Sequence, residues 1–480
     1  MLQRLFIYFF CALFCSLSIA APAQQLPSLG DSASAQVSLL QEHELGRLWL
    51  RQLRAQTNVI DLPLAVQFLE QSIYRMVPHS DVQINDFEFV IIDQRELNAF
   101  AVPGGIIGIN FGLFLHANDE DELSAVLAHE LAHLSQRHFS RQLEQADRQA
   151  PIAIATLLAS ILLIATNNPD VGFAGLIGSQ AASIQSQLAY SREWEREADR
   201  LGIKTLANAD LDPSAMPSMF HQMLQASRYQ QRPPEFLLTH PVTESRIAGA
   251  ADRAEQYPTK ARTAGFEFYI LQNKAIQLYR LQGDQTFVYF NQTAERAQTN
   301  SVEQAAAQYS LADLYLQQNK AEQAMQHWQK IPANYRKHNA SIALQALILQ
   351  QLNQEQQALE VLANALPFTP NDFLLLTTQA QVLQQQGKVI ESSAIWRKLS
   401  ELRPSNPYVW KQLSHTANLA QQKIMAYRAN AEFLFYSGQH QQALRQMDMA
   451  QKQAKVEGDL RQQLAIKQRQ QDMASAPSKF

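Results

Sequence analysis

The chain contains very little cysteine: of 480 residues only Cys11 and Cys15 are cysteines, and both lie near the start. They fall in a segment that carries one positive charge, an apolar run over residues 5–19 and a small-residue sequence at 21–23. This pattern predicts a signal peptide over residues 1–23, after which the exported chain would contain no disulfide. An uncleaved membrane anchor is the alternative, because the apolar run is near the shortest spanning length.

An excess of basic charge is also absent. The chain has 40 Lys and Arg against 44 Asp and Glu, for a net charge of −4, which does not indicate a nucleic-acid partner. Glycine and proline are few, at 16 and 19 residues, while 46% of residues are hydrophobic. A chain of this length and apolar content can form two or more globular parts. A polar segment at 24–38 precedes the first of them.

The first part has both helical and strand patterns. Helices are predicted near residues 39–56 and 61–77, and three short strands at 87–93, 98–102 and 106–110, with Gly104 and Gly105 forming a turn. The segment 98–101 is a candidate edge strand for pairing with an extended substrate, or a plain structural hairpin.

Residues 151–177 contain the apolar run PIAIATLLASILLIA and a second biased stretch. Fifteen apolar residues are too few for a confident membrane span. We favour a buried helix pair beneath the site. The alternative is a hydrophobic flap, or a peripheral membrane contact, since exposed apolar patches mark contact surfaces.

From about residue 266 the composition changes to Gln- and Ala-rich helix with a 34-residue repeat. Turn residues recur at that spacing, each followed five residues later by a small residue: Asn319 and Ala324, Asn353 and Ala358, Gly387 and Ser392, with Gly438 and Ala443 repeating the local pattern and Pro370 and Pro404 keeping the period. This is tetratricopeptide spacing, which predicts stacked helix pairs with a protein-binding groove. A helical cap that only stabilises the first part is the alternative.

The sequence HELAH at residues 129–133 carries the most specific chemistry. An acidic segment at 118–122 predicts a helix start, so His129 and His133 would share one helix face. Two such imidazoles can hold zinc, and the intervening Glu130 can take a proton from water.

A third ligand is expected on another helix. The charged run at 191–200 places Glu195 and Asp199 four residues apart, so Glu195 can bind the metal while Asp199 orients a ligand histidine. Glu193 and Glu197 would then point away. Taken alone, the run is more typical of a solvated charged helix, and only its pairing with the HELAH motif favours the metal-site interpretation.

H-E-x-x-H followed by E-x-x-x-D resembles the zinc metallopeptidases that include the CAAX prenyl protease and the bacterial heat-shock membrane protease. The segments 98–105 and 240–247 resemble further motifs of that family, so the resemblance covers residues 37–255. It implies one zinc per chain. It also implies that His240 reaches the metal and can hold the site closed, although an oxyanion or core role stays open, and Arg246 is a weaker oxyanion candidate.

With the leader and the repeats, the resemblance implies a periplasmic endopeptidase acting on misfolded or stalled outer-membrane proteins. It further implies contact with the β-barrel assembly machinery and chaperone-like support of that assembly. A chaperone or scaffold with a vestigial or latched metal site is the competing class. We therefore predict a mainly α protein: a zincin-like α+β metalloprotease domain with a small β-sheet at 39–260, followed by an α-solenoid of tetratricopeptide repeats at 266–480.

Overall fold

The structure is a computed structural model that describes residues 38–145, 162, 192–228, 235–262 and 265–477. The predicted signal peptide, most of the polar segment 24–38 and, apart from Leu162, the apolar segment 151–177 lie outside the described residues. Leu162 is buried in a hydrophobic cluster with Trp49 and Phe139. No helix in the described part of the chain is long and apolar enough to cross a membrane.

The first part combines helices with one small sheet. In chain order its elements are α1 (Leu39–Gln56), α2 (Pro63–Met76), a 3-10 turn (Val77–His79), β1 (Glu88–Ile92), β2 (Ala99–Val102), β3 (Ile106–Asn110), α3 (Leu113–His116), α4 (Glu120–Ser135), α5 (His138–Gln145), α6 (Arg192–Asn208), α7 (Ala215–Arg228), α8 (Glu235–Thr239) and α9 (Glu244–Ala254). Local signals set these bounds. Ser38 caps α1 with a reciprocal hydrogen-bond pair to Gln41, and Pro63 begins α2.

The sheet has the order β1-β3-β2, so the last strand in sequence lies at the centre. β3 runs parallel to β1 and antiparallel to β2. The tight turn between β2 and β3 requires the left-handed backbone of Gly104 and Gly105, with φ of +83° and +78°. The three predicted strands and their glycine turn are confirmed.

The second part is a succession of antiparallel helices. They are α10 (Phe266–Tyr279), α11 (Asp284–Arg296), α12 (Val302–Gln317), α13 (Ala321–Lys330), α14 (Ala333–Arg336), α15 (Asn339–Gln351), α16 (Glu355–Ala365), α17 (Phe373–Gln385), α18 (Val389–Leu402), α19 (Pro407–Leu419), α20 (Lys423–Tyr436), α21 (His440–Val456) and α22 (Leu460–Ser475). The predicted fold class, a mainly α protein with a small sheet followed by a stack of helical repeats, is confirmed.

The 34-residue period has a backbone cause. Asn319, Asn353 and Gly387 adopt left-handed φ angles of 58°, 57° and 74° between paired helices. Gln421, one period further on, adopts the same conformation at 60° although its residue type gives no turn signal. The small residues five positions later are buried. Each repeat therefore has the same arrangement, a left-handed turn residue followed by a small buried residue at the start of the next helix.

The helical stack packs against the first part at both of its ends. Near its start, Phe268 lies 6.4 Å from Phe68 and 5.9 Å from Phe114, measured between ring centroids. Further along, Arg403 forms a bidentate ion pair with Glu70 on α2. At its end, Arg51 on α1 donates a hydrogen bond of 2.8 Å to the Pro477 carbonyl. The repeats therefore lie along α1, α2 and α3, on a core that continues into the elements holding the site.

Candidate metal centre

Helix α4 presents two histidines to the protein interior. Asp119 caps the helix by accepting a hydrogen bond of 2.9 Å from the Glu122 backbone N–H. Every residue from Asp121 to Leu134 is buried. The Nε2 atoms of His129 and His133, one turn apart, lie 3.0 Å from each other, so both rings point to one spot.

Helix α6 crosses α4 closely enough to bring its carboxylates to the same spot. Gly202 permits this approach, because a Cβ atom there would lie 3.3 Å from the His129 backbone nitrogen and 2.8 Å from the end of the Met216 side chain. Ala198 and Ala132 pack in the same contact. Small residues thus set the helix separation that Glu195 and Asp199 require.

Four donor groups converge at this crossing. The ligand atoms of His129, His133, Glu195 and His240 all lie within 4.8 Å of one another. Glu195 Oε1 is 3.4 Å from His133 Nε2 and 2.9 Å from His240 Nδ1, and its Oε2 is 3.5 Å from His129 Nε2. All four side chains are between 1% and 4% exposed, so the cluster is shielded from bulk water.

Glu130 lies beside the cluster rather than within it. Its Oε1 is 3.6 Å from His240 Nε2, and the residue is buried. Burial raises the pKa of Glu130, while nearby His240 and a backbone hydrogen bond from Ala101 on β2 oppose the shift. A carboxylate with a raised pKa can accept and return a proton near neutrality.

Asp199 holds the outer side of His129. Its Oδ1 is 3.0 Å from His129 Nδ1, and Arg246 donates to it through Nε at 2.9 Å and Nη2 at 2.7 Å. Burial opposes ionisation, but the hydrogen bonds from Arg246 and His129 hold the pKa of Asp199 below its usual value. Arg246 also lies 2.7 Å from Glu195 Oε2 and donates to the Pro241 carbonyl, so its donors are already engaged.

The charge balance of the site favours a cation. Burial opposes ionisation of Glu195, yet its contacts with His240, His129 and His133 hold its pKa well below the usual value. The carboxylates Asp199 and Glu195 raise the pKa of His129 to about 9 against the effect of burial. Among the described residues, Arg246 is the one arginine or lysine paired with either carboxylate. With both imidazoles neutral, as metal binding requires, the two carboxylates exceed Arg246 by one negative charge. Two imidazoles and a carboxylate form a donor set that suits zinc.

The structure brings together all seven side chains singled out from the sequence, including Arg246. Sequence reasoning missed a further one, His138, whose Nδ1 lies 2.8 Å from His133 Nδ1. Glu197 lies outside the donor cluster, as expected, but sequence reasoning did not foresee that its Oε2 lies 3.2 Å from His138 Nε2. The signal was an additional histidine five residues after His133, a spacing that fits no single helix face.

A helix with two histidines and an intervening glutamate, completed by a carboxylate from a second helix, defines a metallopeptidase. Comparison with known families agrees, since residues 63–254 match the model of peptidase family M48. The chain belongs to this family and is a metalloprotease.

Relatives extend the similarity beyond the metal centre. The β-barrel assembly-enhancing protease of Escherichia coli (strain K12) is 32% identical over 445 residues, covering 93% of this chain and 90% of that protein. The protein of the same name from Yersinia pestis is 30% identical over 424 residues, covering 88% and 87%. The mitochondrial metalloendopeptidase OMA1 of Schizosaccharomyces pombe is 26% identical over 197 residues, covering 41% and 55%. The resemblance to the H-E-x-x-H zinc metallopeptidases, and within them to the β-barrel assembly-enhancing proteases, is confirmed.

Proposed function

We propose that this metalloprotease is a periplasmic zinc endopeptidase that hydrolyses peptide bonds of misfolded or stalled envelope proteins and supports outer-membrane β-barrel assembly through its repeats. The observation that carries the proposal is the buried cluster of four donors with Glu130 beside it. The name of the similar Escherichia coli protein supports the link to barrel assembly. We infer the periplasm from that name together with the predicted signal peptide.

His129, His133 and Glu195 are the proposed zinc ligands. Zinc held in this way lowers the pKa of water and polarises a scissile carbonyl. Asp199 Oδ1, 3.0 Å from His129 Nδ1, is the proposed orienting group for that ring, and Arg246 in turn fixes Asp199. These contacts keep the donors in one arrangement before substrate arrives.

Glu130 is the proposed general base. It accepts a proton from the attacking water and passes it to the leaving amine. Burial raises its pKa, which favours the protonated form that the second transfer needs. The Ala101 backbone on β2 lowers the pKa of this carboxylate, which places the base next to the strand.

β2 is the proposed docking edge for substrate. Among the described strands it pairs only with β3, which leaves its other side unpaired. An extended peptide pairing along residues 98–101 would pass directly by Glu130. A purely structural hairpin remains the alternative interpretation of these residues.

His240 is the proposed latch. Its Nδ1 lies 2.9 Å from Glu195 Oε1 and 3.4 Å from His129 Nε2, so its ring shares the space of the proposed ligands. An imidazole in the fourth position would exclude the water that the reaction needs. Once its ring has left the fourth position, His240 would still be near enough to stabilise an oxyanion.

The repeats are proposed to bind the substrates or partner proteins of the protease. We place the division between a protease part at 39–260 and a repeat part at 266–480, in the stretch between α9 and α10. Stacked repeats present an extended surface suited to stalled barrel proteins or to the assembly machinery. For residues 151–177 the proposal stays as the sequence predicts it: a buried helix pair beneath the site, with a hydrophobic flap or a peripheral membrane contact as the alternative.

One cleavage experiment tests the proposal. An unfolded outer-membrane barrel protein is incubated with the wild type, Glu130→Gln and His240→Ala. We expect slow cleavage by the wild type, none by Glu130→Gln with its zinc retained, and faster cleavage by His240→Ala. A loss of roughly 10²–10³-fold in His240→Ala would assign the oxyanion role instead. Cleavage by Glu130→Gln would exclude it as the base, and no cleavage by any of the three would favour a scaffold.

A further inference from the structure

The outer nitrogens of the two α4 histidines are both held, but by different chains of contacts. His129 Nδ1 faces Asp199, which Arg246 holds. His133 Nδ1 instead faces another imidazole, His138, at 2.8 Å. Glu197 Oε2 lies 3.2 Å from His138 Nε2 and 3.3 Å from Arg141 Nη1. One ligand thus has a carboxylate as its neighbour, and the other has an imidazole backed by a carboxylate.

The local backbone explains how His138 reaches His133. On a continuous helix, five residues would rotate the side chain by about 500°, which leaves it roughly 140° away from the face of His133. The chain instead breaks at Arg137, whose φ is 50°. Arg137 is anchored by hydrogen bonds of 3.0 Å and 2.7 Å to Glu42 on α1. Helix α5 then begins at His138 and points its ring back beneath α4.

His138 is enclosed on its remaining sides. It is fully buried, and its ring stacks on Trp194 with centroids 5.4 Å apart and an interplanar angle of 9°. Trp194 precedes Glu195 directly on α6, so the stack links His138 to the same turn that carries the carboxylate ligand. The ring therefore has one orientation, with Nδ1 toward His133 and Nε2 toward Glu197.

Metal binding by His133 Nε2 would determine which nitrogens of the two rings carry protons. For Nε2 of His133 to bind a metal through its lone pair, its proton must be on Nδ1. That N–H then donates to His138 Nδ1, which must be unprotonated to accept it. His138 accordingly carries its proton on Nε2 and donates it to the Glu197 carboxylate.

We propose that His138, held by Glu197 and Trp194, is a positioning residue that fixes the ring orientation and tautomer of His133 for metal binding. This proposal rests on the zinc site proposed above. Partners of this kind typically contribute 10–100-fold to metal affinity. Asp199 does the same for His129, so each α4 ligand has its own orienting group.

Zinc affinity of the full-length protein, measured by competition with a chromophoric chelator, tests the proposal. His138→Phe keeps a flat ring against Trp194 but removes both nitrogens, and we expect its zinc affinity to fall by about 10–100-fold. His138→Asn keeps an acceptor near the place of Nδ1, so it should recover part of that loss. Glu197→Gln should lower affinity several-fold, while the matched control Glu193→Gln, exposed on the same helix, should not.

Two further measurements separate positioning from folding. Thermal unfolding of the zinc-free proteins shows whether each variant is folded, and the visible spectrum of the cobalt-substituted protein reports ligand geometry. A folded His138→Phe with wild-type zinc affinity and an unchanged cobalt spectrum would overturn the proposal. If His138→Phe does not fold, equal affinities of Glu197→Gln and Glu193→Gln would overturn it. A wild type that binds no zinc would overturn the zinc site itself, whereas failure of the variants alone would leave that site standing.

Discussion

Replacing Arg246 with leucine should destabilise the zinc-free protein by about 3–5 kcal/mol, because it removes the cation from two buried carboxylates. The guanidinium makes two hydrogen bonds to Asp199, at 2.9 Å and 2.7 Å, and contacts Glu195 at 2.7 Å. It is 6% exposed and lies over the Phe220 ring at 4.9 Å. Water cannot replace these contacts. His129 is then the cationic partner that the two carboxylates keep, and it does not replace the hydrogen bonds of the guanidinium.

Urea unfolding followed by tryptophan fluorescence, with a chelator present, measures this loss. The double variant Asp199→Asn with Arg246→Leu should lose less than Arg246→Leu alone, because one buried charge is also removed. Arg253→Leu is the matched control on the same helix; its guanidinium donates to the Gly249 carbonyl, and its loss should stay within about 0.5 kcal/mol. The reasoning is refuted if Arg246→Leu unfolds within 1 kcal/mol of the wild type, roughly the scale of an exposed pair, or if the double variant is no more stable than the single one.

Two other variants test the packing and the charges around the site. Burial raises the pKa of Glu120 from 4.5 to about 7, so the folded protein loses stability as pH rises from 4.5 to 7 and this side chain ionises. Glu120→Gln should therefore stabilise the fold at pH 8 by at most about 3 kcal/mol, seen as a higher melting temperature, and should leave the melting temperature unchanged at pH 4. An equal effect at both pH values would contradict this assignment. Gly202→Ala should push α6 away from α4, which should cost about 1–3 kcal/mol of stability and weaken zinc binding. In the control Gly249→Ala, the added methyl group meets only a flexible Arg253 side chain, so this change should be neutral or stabilising. Equal melting temperatures for the two alanine variants would contradict the close approach of the helices.

Local signals predicted much of the fold. Helix α1 and strand β3 begin and end at the predicted residues, since Ser38 caps the helix and glycines precede the strand. The repeat period was readable at Asn319, Asn353 and Gly387 because those residue types tolerate a left-handed backbone. Gln421 was missed because the stack imposes the same conformation on a residue that does not signal it. The parallel pairing of β1 with β3 is a long-range contact that strand patterns do not specify.

The candidate site also has some features that the sequence predicted and others that it did not. Spacing of four residues places His129 with His133, and Glu195 with Asp199, because each pair shares a helix face. The contacts of His138 and Glu197 depend on the backbone break at Arg137 and on the packing of two helices far apart in sequence. A pattern of residue types does not contain that information. The role of Arg246 as counterion likewise depends on the packing of α9 against α6, which the sequence pattern does not specify.

Zinc content is the most direct test of the central claim that His129, His133 and Glu195 hold a catalytic metal. The purified protein should contain one zinc per chain by elemental analysis. His133→Ala and Glu195→Gln should each lose most of it, since each removes a ligand, while Glu130→Gln should retain it. Full zinc occupancy in both ligand variants would contradict the assignment, as would a wild type without bound metal.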